Sequence, residues 1–365
     1  MDPINLFEYE QAAKEKLPQM IFDFYAGAAH DELTLHDNRA AYERIKIAPR
    51  PLVDVRVRDL STTFLGHKLS FPVIVPPVAM QKMVGPDGEA ATARAADAAQ
   101  TIMILSTLSN TTIEEVIKAS KHPVFFQLYI YKDREMTKSL VQRAEAAGAK
   151  ALVLTVDAPL WGHRERDQRN HFQMPPGLYL KNITKEGMED LPKGAKESGL
   201  EAYTNMFFDP GITWKDLEWL RSITKIPVLI KGVTRADAAV RAIDHGVSGI
   251  IVSNHGGRQL DTCVATIDAL PSIIDAVAGR VDVAVDGNVR RGTDVIKALA
   301  LGAKAVLIGR PIIWGLAVAG QQGVTNVLEI LRKEFDLAMA LTGCRNVREV
   351  TRDLIAHPPR YAHLC

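Results

Sequence analysis

From Phe71 onward the chain alternates short Val/Ile/Leu-rich runs with amphipathic stretches, and the runs carry no apolar–polar alternation of their own. They are Phe71–Ala79, Ile102–Ser106, Val124–Ile130, Ala151–Ala158, Pro227–Val233, Gly249–Asn254, Asp282–Asn288 and Ala305–Arg310. A short run that is apolar throughout predicts a strand buried on both faces, hence a parallel sheet covered by helices. The stretches between them read as helices. Thr111-Thr112-Ile113-Glu114 matches a capping box, and Arg134 to Ala147 is amphipathic and closed by Gly148. Eight β-α units closing on themselves predict an α/β fold, a (β/α)8 TIM barrel spanning about 71–345.

The runs start about 22 to 33 residues apart, except for a gap of 76 between Ala151 and Pro227. That excess of about 50 residues predicts a lid insertion over about 163–212, after the fourth strand and so on the catalytic face. Residues 1–60 read as a helical extension, with Asp31 to Arg44 its clearest helix. One barrel with these additions accounts for all 365 residues as a single domain.

Composition narrows the function classes. Hydrophobic residues at 47% and charged residues at 24% exclude a disordered, collagenous or disulfide-scaffold chain. With 44 basic against 43 acidic residues the net charge is +1, which offers no field for a phosphate backbone or an anionic membrane. Cys263, Cys344 and Cys365 are far apart and in no Cys-x-x-Cys pair, so we expect neither a disulfide framework nor a metal site. The start Met1-Asp2-Pro3 lacks a signal peptide, and no apolar run is long enough to span a bilayer. The end, His363-Leu364-Cys365, is not a Ser-Lys-Leu type address. A cytoplasmic protein is expected.

Candidate chemistry collects at the carboxyl ends of the runs, where such barrels build their sites. Ser106 ends the second; Gln127 and Tyr129 lie on the third; Thr155 and Asp157 end the fourth; Lys231 lies in the fifth. Ser253 and His255 to Arg258 end the sixth, Asp286-Gly287-Asn288-Val289-Arg290 the seventh, and Gly309-Arg310 the eighth. Any one of these could be a satisfied core polar residue; a ring of them points to a site. Gly287 with Arg290, and Gly309 with Arg310, provide two loops suited to a phosphate-bearing ligand, since glycine lets backbone N–H groups approach. The alternative is that these arginines form surface ion pairs. His255 and Arg258 pair a neutral base with a fixed cation, a combination suited to proton abstraction from an anionic substrate, with Asp157 able to stabilise the imidazolium. A structural histidine and, around Arg164, a solvated charge run are the alternatives. Lys231 must meet a partly negative ligand or a carboxylate, because a buried unpaired ammonium is costly.

The segments Ser253-Asn254-His255-Gly256-Gly257-Arg258-Gln259-Leu260-Asp261, Phe126-Gln127-Leu128-Tyr129 and Asp286 to Asp294 resemble the FMN-dependent 2-hydroxy-acid oxidases. The likeness runs from Tyr25 to Arg310 and implies bound FMN. Pro77, Val78, Ala79, Ser106, Gln127, Tyr129, Thr155, Lys231, Ser253, Asp286, Gly287, Asn288, Arg290, Gly309 and Arg310 match the FMN shell, with Lys231 neutralising charge on the reduced flavin. Tyr25, Tyr129, Arg164, His255 and Arg258 match the substrate shell, with His255 as base, both arginines on the substrate carboxylate and Asp157 orienting the base. A homotetramer is also implied.

Two positions depart from the family pattern. Asn288 stands where a glycine is usual, and asparagine tolerates a left-handed backbone best among side chains. Leu108 stands where glycolate oxidases carry tryptophan, leaving an apolar wall for the methyl of L-lactate, to which Val78, Phe207 and Phe208 are expected to add. The expected reaction is L-lactate and O2 to pyruvate and hydrogen peroxide. Its rivals are glycolate oxidation, a flavin-linked dehydrogenase with another acceptor, a Schiff-base lyase using Lys231, and a non-catalytic FMN-binding protein.

Overall fold

The computed structural model describes residues 3–183 and 199–356. Each apolar run becomes a barrel strand: β1 (Val73–Ile74), β2 (Met103–Leu105), β3 (Val124–Leu128), β4 (Leu152–Thr155), β5 (Val228–Val233), β6 (Gly249–Val252), β7 (Asp282–Val285) and β8 (Ala305–Leu307). All pairings are parallel and follow chain order from β2 to β8, with β8 beside β1. A parallel bridge between Val75 and Met103 closes the ring.

The strands are apolar on both faces because each face meets a different core. Val73, Met103, Phe126, Leu152, Ile230, Ile250, Val283 and Val306 pack outward against the helices. Ile74, Ile104, Phe125, Val153, Leu229, Ile251, Ala284 and Leu307 form a separate inner cluster. Phe64 and Leu69 join that inner cluster from a small hairpin, Thr62–Phe64 paired with His67–Leu69, which seals the amino-terminal end of the barrel.

Three helices precede the barrel: α1 (Leu6–Lys16), α2 (Gln19–Ala26) and α3 (Leu33–Arg44). The helical extension therefore ends at Arg44, short of residue 60, and α3 begins two residues after Asp31 because Glu32 takes a left-handed φ of 61°. Around the barrel run α4 (Gly88–Ala98), α5 (Ile113–Lys118) and α6 (Arg134–Ala147), the last capped by Gly148 at φ 100° as its sequence predicts. The capping box of α5 lies one residue later than expected. Thr112 caps with Glu115, since the Thr111 hydroxyl is used by the Glu89 carboxylate.

The insertion after β4 contains α7 (Glu165–Arg169) and α8 (Gly199–Phe207). Its residues 184–198, and His363-Leu364-Cys365, lie outside the described residues. The chain then adds α9 (Trp214–Ser222), α10 (Ala236–Asp244), α11 (Thr266–Val277), α12 (Gly292–Ala300) and α13 (Arg310–Thr342). A break at Ala319 and Gly320 divides α13 into two arms. Among the described residues no helix is long and apolar enough to cross a membrane.

Candidate active site

Successive residues of a strand point to opposite faces, so the position two beyond each inner apolar residue also points inward, one layer nearer the carboxyl end. In this barrel that layer is polar. Ile104 is followed by Ser106, Phe125 by Gln127, Val153 by Thr155, Leu229 by Lys231, Ile251 by Ser253 and Ala284 by Asp286. Gln127 Nε2 donates to Thr155 Oγ1 at 3.0 Å, and Ser106 Oγ donates to Gln127 Oε1 at 3.4 Å. Lys231 is 4% exposed; its Nζ donates to Ser253 Oγ at 2.9 Å and lies 3.5 Å from Asp286 Oδ2, to which Ser253 donates in turn. The buried ammonium thus has the carboxylate its position demands.

Above this floor, His255 opens a short 3-10 turn with a left-handed φ of 58°. Its Nδ1 lies 2.8 Å from Asp157 Oδ1, which fixes Nδ1–H toward the carboxylate and leaves Nε2 as the free base. Burial lowers the His255 pKa, with Asp157 opposing and Lys231 adding to the effect. Burial acts to raise that of Asp157, but His255 and Lys231 outweigh it and the carboxyl is held below its usual range. Gly232, at φ 106°, makes the approach possible: a Cβ there would sit 2.5 Å from Asp157 Cγ.

Cations crowd the rim. Arg164 is 4% exposed, stacks on the Trp161 ring at 3.7 Å, and donates to the Arg258 carbonyl and Gln259 Oε1. Arg258 donates to the carbonyls of Phe24 and Gly27, and Arg310 to those of Tyr25, Gly27 and Gly256. Among the described residues, none of the three has a carboxylate within ion-pair distance. Burial, then the neighbouring Arg258 and Arg290 cations, lowers the Arg310 pKa to about 9, and burial followed by Arg258 acts in the same direction on Arg164. Tyr129 is raised by burial above all, with Asp157 adding to the effect, and so keeps its proton; the Tyr25 hydroxyl donates to the Met80 carbonyl at 2.7 Å.

One cavity gathers nearly every residue singled out in the sequence: Tyr25, Pro77, Val78, Ala79, Ser106, Leu108, Gln127, Tyr129, Thr155, Arg164, Lys231, His255, Arg258, Asp286, Gly287, Asn288, Arg290, Gly309 and Arg310. Asp157 and Ser253 stand behind the wall, holding His255 and Lys231. Phe207 and Phe208 do not line it. Phe208 instead stacks on Tyr129 from behind at 4.4 Å, so its apolar surface is spent on the aromatic wall. Trp161 and Phe24 also line the cavity and were not singled out. An aromatic next to the Arg164 segment was the available signal for Trp161; nothing in the sequence marks Phe24.

Comparison with known proteins decides the family. The FMN-dependent dehydrogenase model matches residues 13–357. The chain belongs to the FMN-dependent dehydrogenase family. It is 54% identical over 352 residues to an L-lactate oxidase of Nostoc sp., covering 95% of this chain and 96% of that one. To a glycolate oxidase of Spinacia oleracea it is 51% identical, covering 98% and 96%. A crystal structure of mandelate oxidase with (S)-4-hydroxymandelic acid superposes with a TM-score of 0.92 at 42% identity, over 96% of this chain and 98% of that one.

This family member's cavity suits FMN. Arg290, 5% exposed, has among the described residues only Glu10 at 3.7 Å as an ion-pair partner, and with Arg310 forms a cationic end where a phosphate would be at home. Asp286 Oδ1 is buried without a hydrogen-bond partner among the described residues, an acceptor suited to a ribityl hydroxyl. Asn288 sits at φ 66° and donates to the Leu35 carbonyl, so the residue replacing glycine keeps the left-handed backbone and ties the loop to α3.

Proposed function

We propose that the protein is an FMN-dependent (S)-2-hydroxy-acid oxidase that takes L-lactate and O2 to pyruvate and hydrogen peroxide. The observation that carries this reading is a half-buried base oriented by Asp157 beside two guanidiniums, Arg164 and Arg258, that among the described residues have no carboxylate within ion-pair distance. Bound FMN supplies the two-electron acceptor; Ser106, Gln127, Thr155, Lys231, Asp286, Arg290 and Arg310 would hold it. The substrate carboxylate answers Arg164 and Arg258, each able to bind it as a fork. Tyr129, protonated, donates from the same wall. So anchored, the substrate presents its reacting carbon and hydroxyl to His255, whose Nε2 takes up a proton as the acid is oxidised, and Asp157 stabilises the imidazolium. L-lactate gives up two protons and two electrons, and O2 takes them up as hydrogen peroxide. Lys231 keeps a fixed cation in the floor throughout.

Buried Leu108 supports lactate, because it leaves the wall apolar and uncrowded. Glycolate is the second reading, favoured by the similarity to plant glycolate oxidases. The test is an anaerobic titration of the purified yellow protein with L-lactate and with glycolate, followed by stopped-flow mixing with oxygen. Bleaching by lactate at lower concentration than by glycolate, then rapid return of colour, is expected. Bleaching without return in oxygen would make the protein a flavin-linked dehydrogenase with another acceptor, and no bleaching with any 2-hydroxy acid would leave only a flavin-binding protein. The reading includes a cytoplasmic homotetramer, for which sedimentation of the purified enzyme is the test of assembly.

A further inference from the structure

Outside the cavity wall, two loops at the rim bring together residues that the oxidation does not use. His30 follows α2, while His163 and Glu165 lead into α7. One ligand atom of each lies within 4.8 Å of the others, and all three side chains are exposed. The loops are already joined: the His30 amide donates to the His163 carbonyl at 3.0 Å, and the two rings stack with centroids 5.0 Å apart. Competing partners are weak. Glu165 has Arg169 at 3.9 Å, and the His30 ring makes no hydrogen bond among the described residues.

Two imidazoles and a carboxylate form the donor set of a zinc-class ion, with water completing the tetrahedron. Metal–ligand bonds of about 2.1 Å require donor atoms about 3.4 Å apart, so exposed side chains need only rotate to close by about 1.4 Å. A supporting partner is in place as well, because the Gln168 amide lies 3.3 Å from His163 Nδ1. With its oxygen toward the ring it accepts Nδ1–H and frees Nε2 for the metal.

We propose that His30, His163 and Glu165 form a binding site for a divalent transition-metal ion of the zinc class. The ion would pin the loop after α2 to the start of the insertion. That loop carries the Gly27 carbonyl that receives Arg258 and Arg310, and Arg164 lies between two of the ligands, so the ion would stiffen the rim on which these arginines rest.

Isothermal titration of zinc chloride into the EDTA-treated, desalted holoenzyme tests the site. One ion per chain is expected, with a higher melting temperature when it is bound. His163→Ala and His30→Asn should each weaken binding about 100-fold or more and Gln168→Ala about 10-fold, since losing a supporting partner costs about 10- to 100-fold and losing a ligand no less. Asparagine is chosen at position 30 because φ there is 45°. Melting in EDTA and the flavin spectrum report whether each variant is folded, and either histidine variant alone decides the matter. No zinc uptake by the parent overturns the proposal, as does uptake undiminished in the folded variants, since another site would then hold the ion.

Discussion

His255 is held in a conformation that non-glycine residues rarely adopt, with its amide donating to Ser253 Oγ and its ring to Asp157, so surrounding bonds compensate for the strain. Burial lowers its pKa, so the neutral base persists at a pH where an ordinary imidazole is half charged, and activity should extend below about 6.5. Asp157 opposes that shift. Asp157→Asn therefore lowers the pKa further and moves the acid limb of kcat/KM to lower pH, while the rate above the limb falls on the order of 10²-fold as the imidazolium loses its partner. A limb that stayed in place, or moved up, would show that Asp157 does not act through His255. Leu108 governs the other end of the substrate. Leu108→Trp should reduce kcat/KM for L-lactate more than for glycolate, by about 1–3 kcal/mol of discrimination, the worth of one methyl in an apolar pocket; equal losses for both acids would remove it as the determinant.

Helix α13 depends on two glycines at the crossing of its arms. A Cβ on Gly323 would lie 1.9 Å from the Gly315 carbonyl oxygen, so Gly323→Ala must spread a contact that sits on the buried side of both arms. We expect a loss of about 1–3 kcal/mol, read from the urea midpoint, with flavin retained in the folded fraction. A midpoint unchanged from the parent would mean that the arms part freely. Neither glycine stands out in the sequence, because the pair is made by tertiary crossing and not by spacing. The strands were legible for the opposite reason: burial on both faces writes itself into a run of Val, Ile and Leu, and the two-residue step from Val153 to Thr155 or Leu229 to Lys231 marks where the inner core gives way to the site. Their caps were less exact. Thr111 and Thr112 are equivalent by pattern, and only the packing of Glu89 against Thr111 chooses between them. Phe207 and Phe208 were misread as cavity wall because apolar residues in an insertion do not reveal which side of Tyr129 they cover.

Over the whole molecule the charge nearly cancels, at +1, yet one cavity collects Arg164, Lys231, Arg258, Arg290 and Arg310. Long-range steering is therefore weak, and the positive potential is local, focused by a low-dielectric wall. Such crowding costs stability until anions arrive. Burial, followed by neighbouring cations, lowers the pKa of Arg310, and burial acts likewise on Arg290, partly offset by Glu10. FMN binding and folding are thereby coupled, since a ligand that binds only the folded chain stabilises it by mass action, about 2.7 kcal/mol at a hundred times its dissociation constant. Arg290→Met separates the two effects. Arg310 serves three carbonyls, whereas among the described residues Arg290 has the Val289 carbonyl and Glu10, itself partly exposed, so its removal leaves little unsatisfied. The holoenzyme variant should melt below the parent and bind FMN about 10- to 100-fold more weakly, the worth of charged hydrogen bonds to a phosphate. The apoprotein variant should melt at or above the parent apoprotein, because a buried cation that Glu10 only partly offsets is gone. An apoprotein variant melting several degrees lower would make Arg290 a pillar of the fold, with its charge no burden in the absence of phosphate.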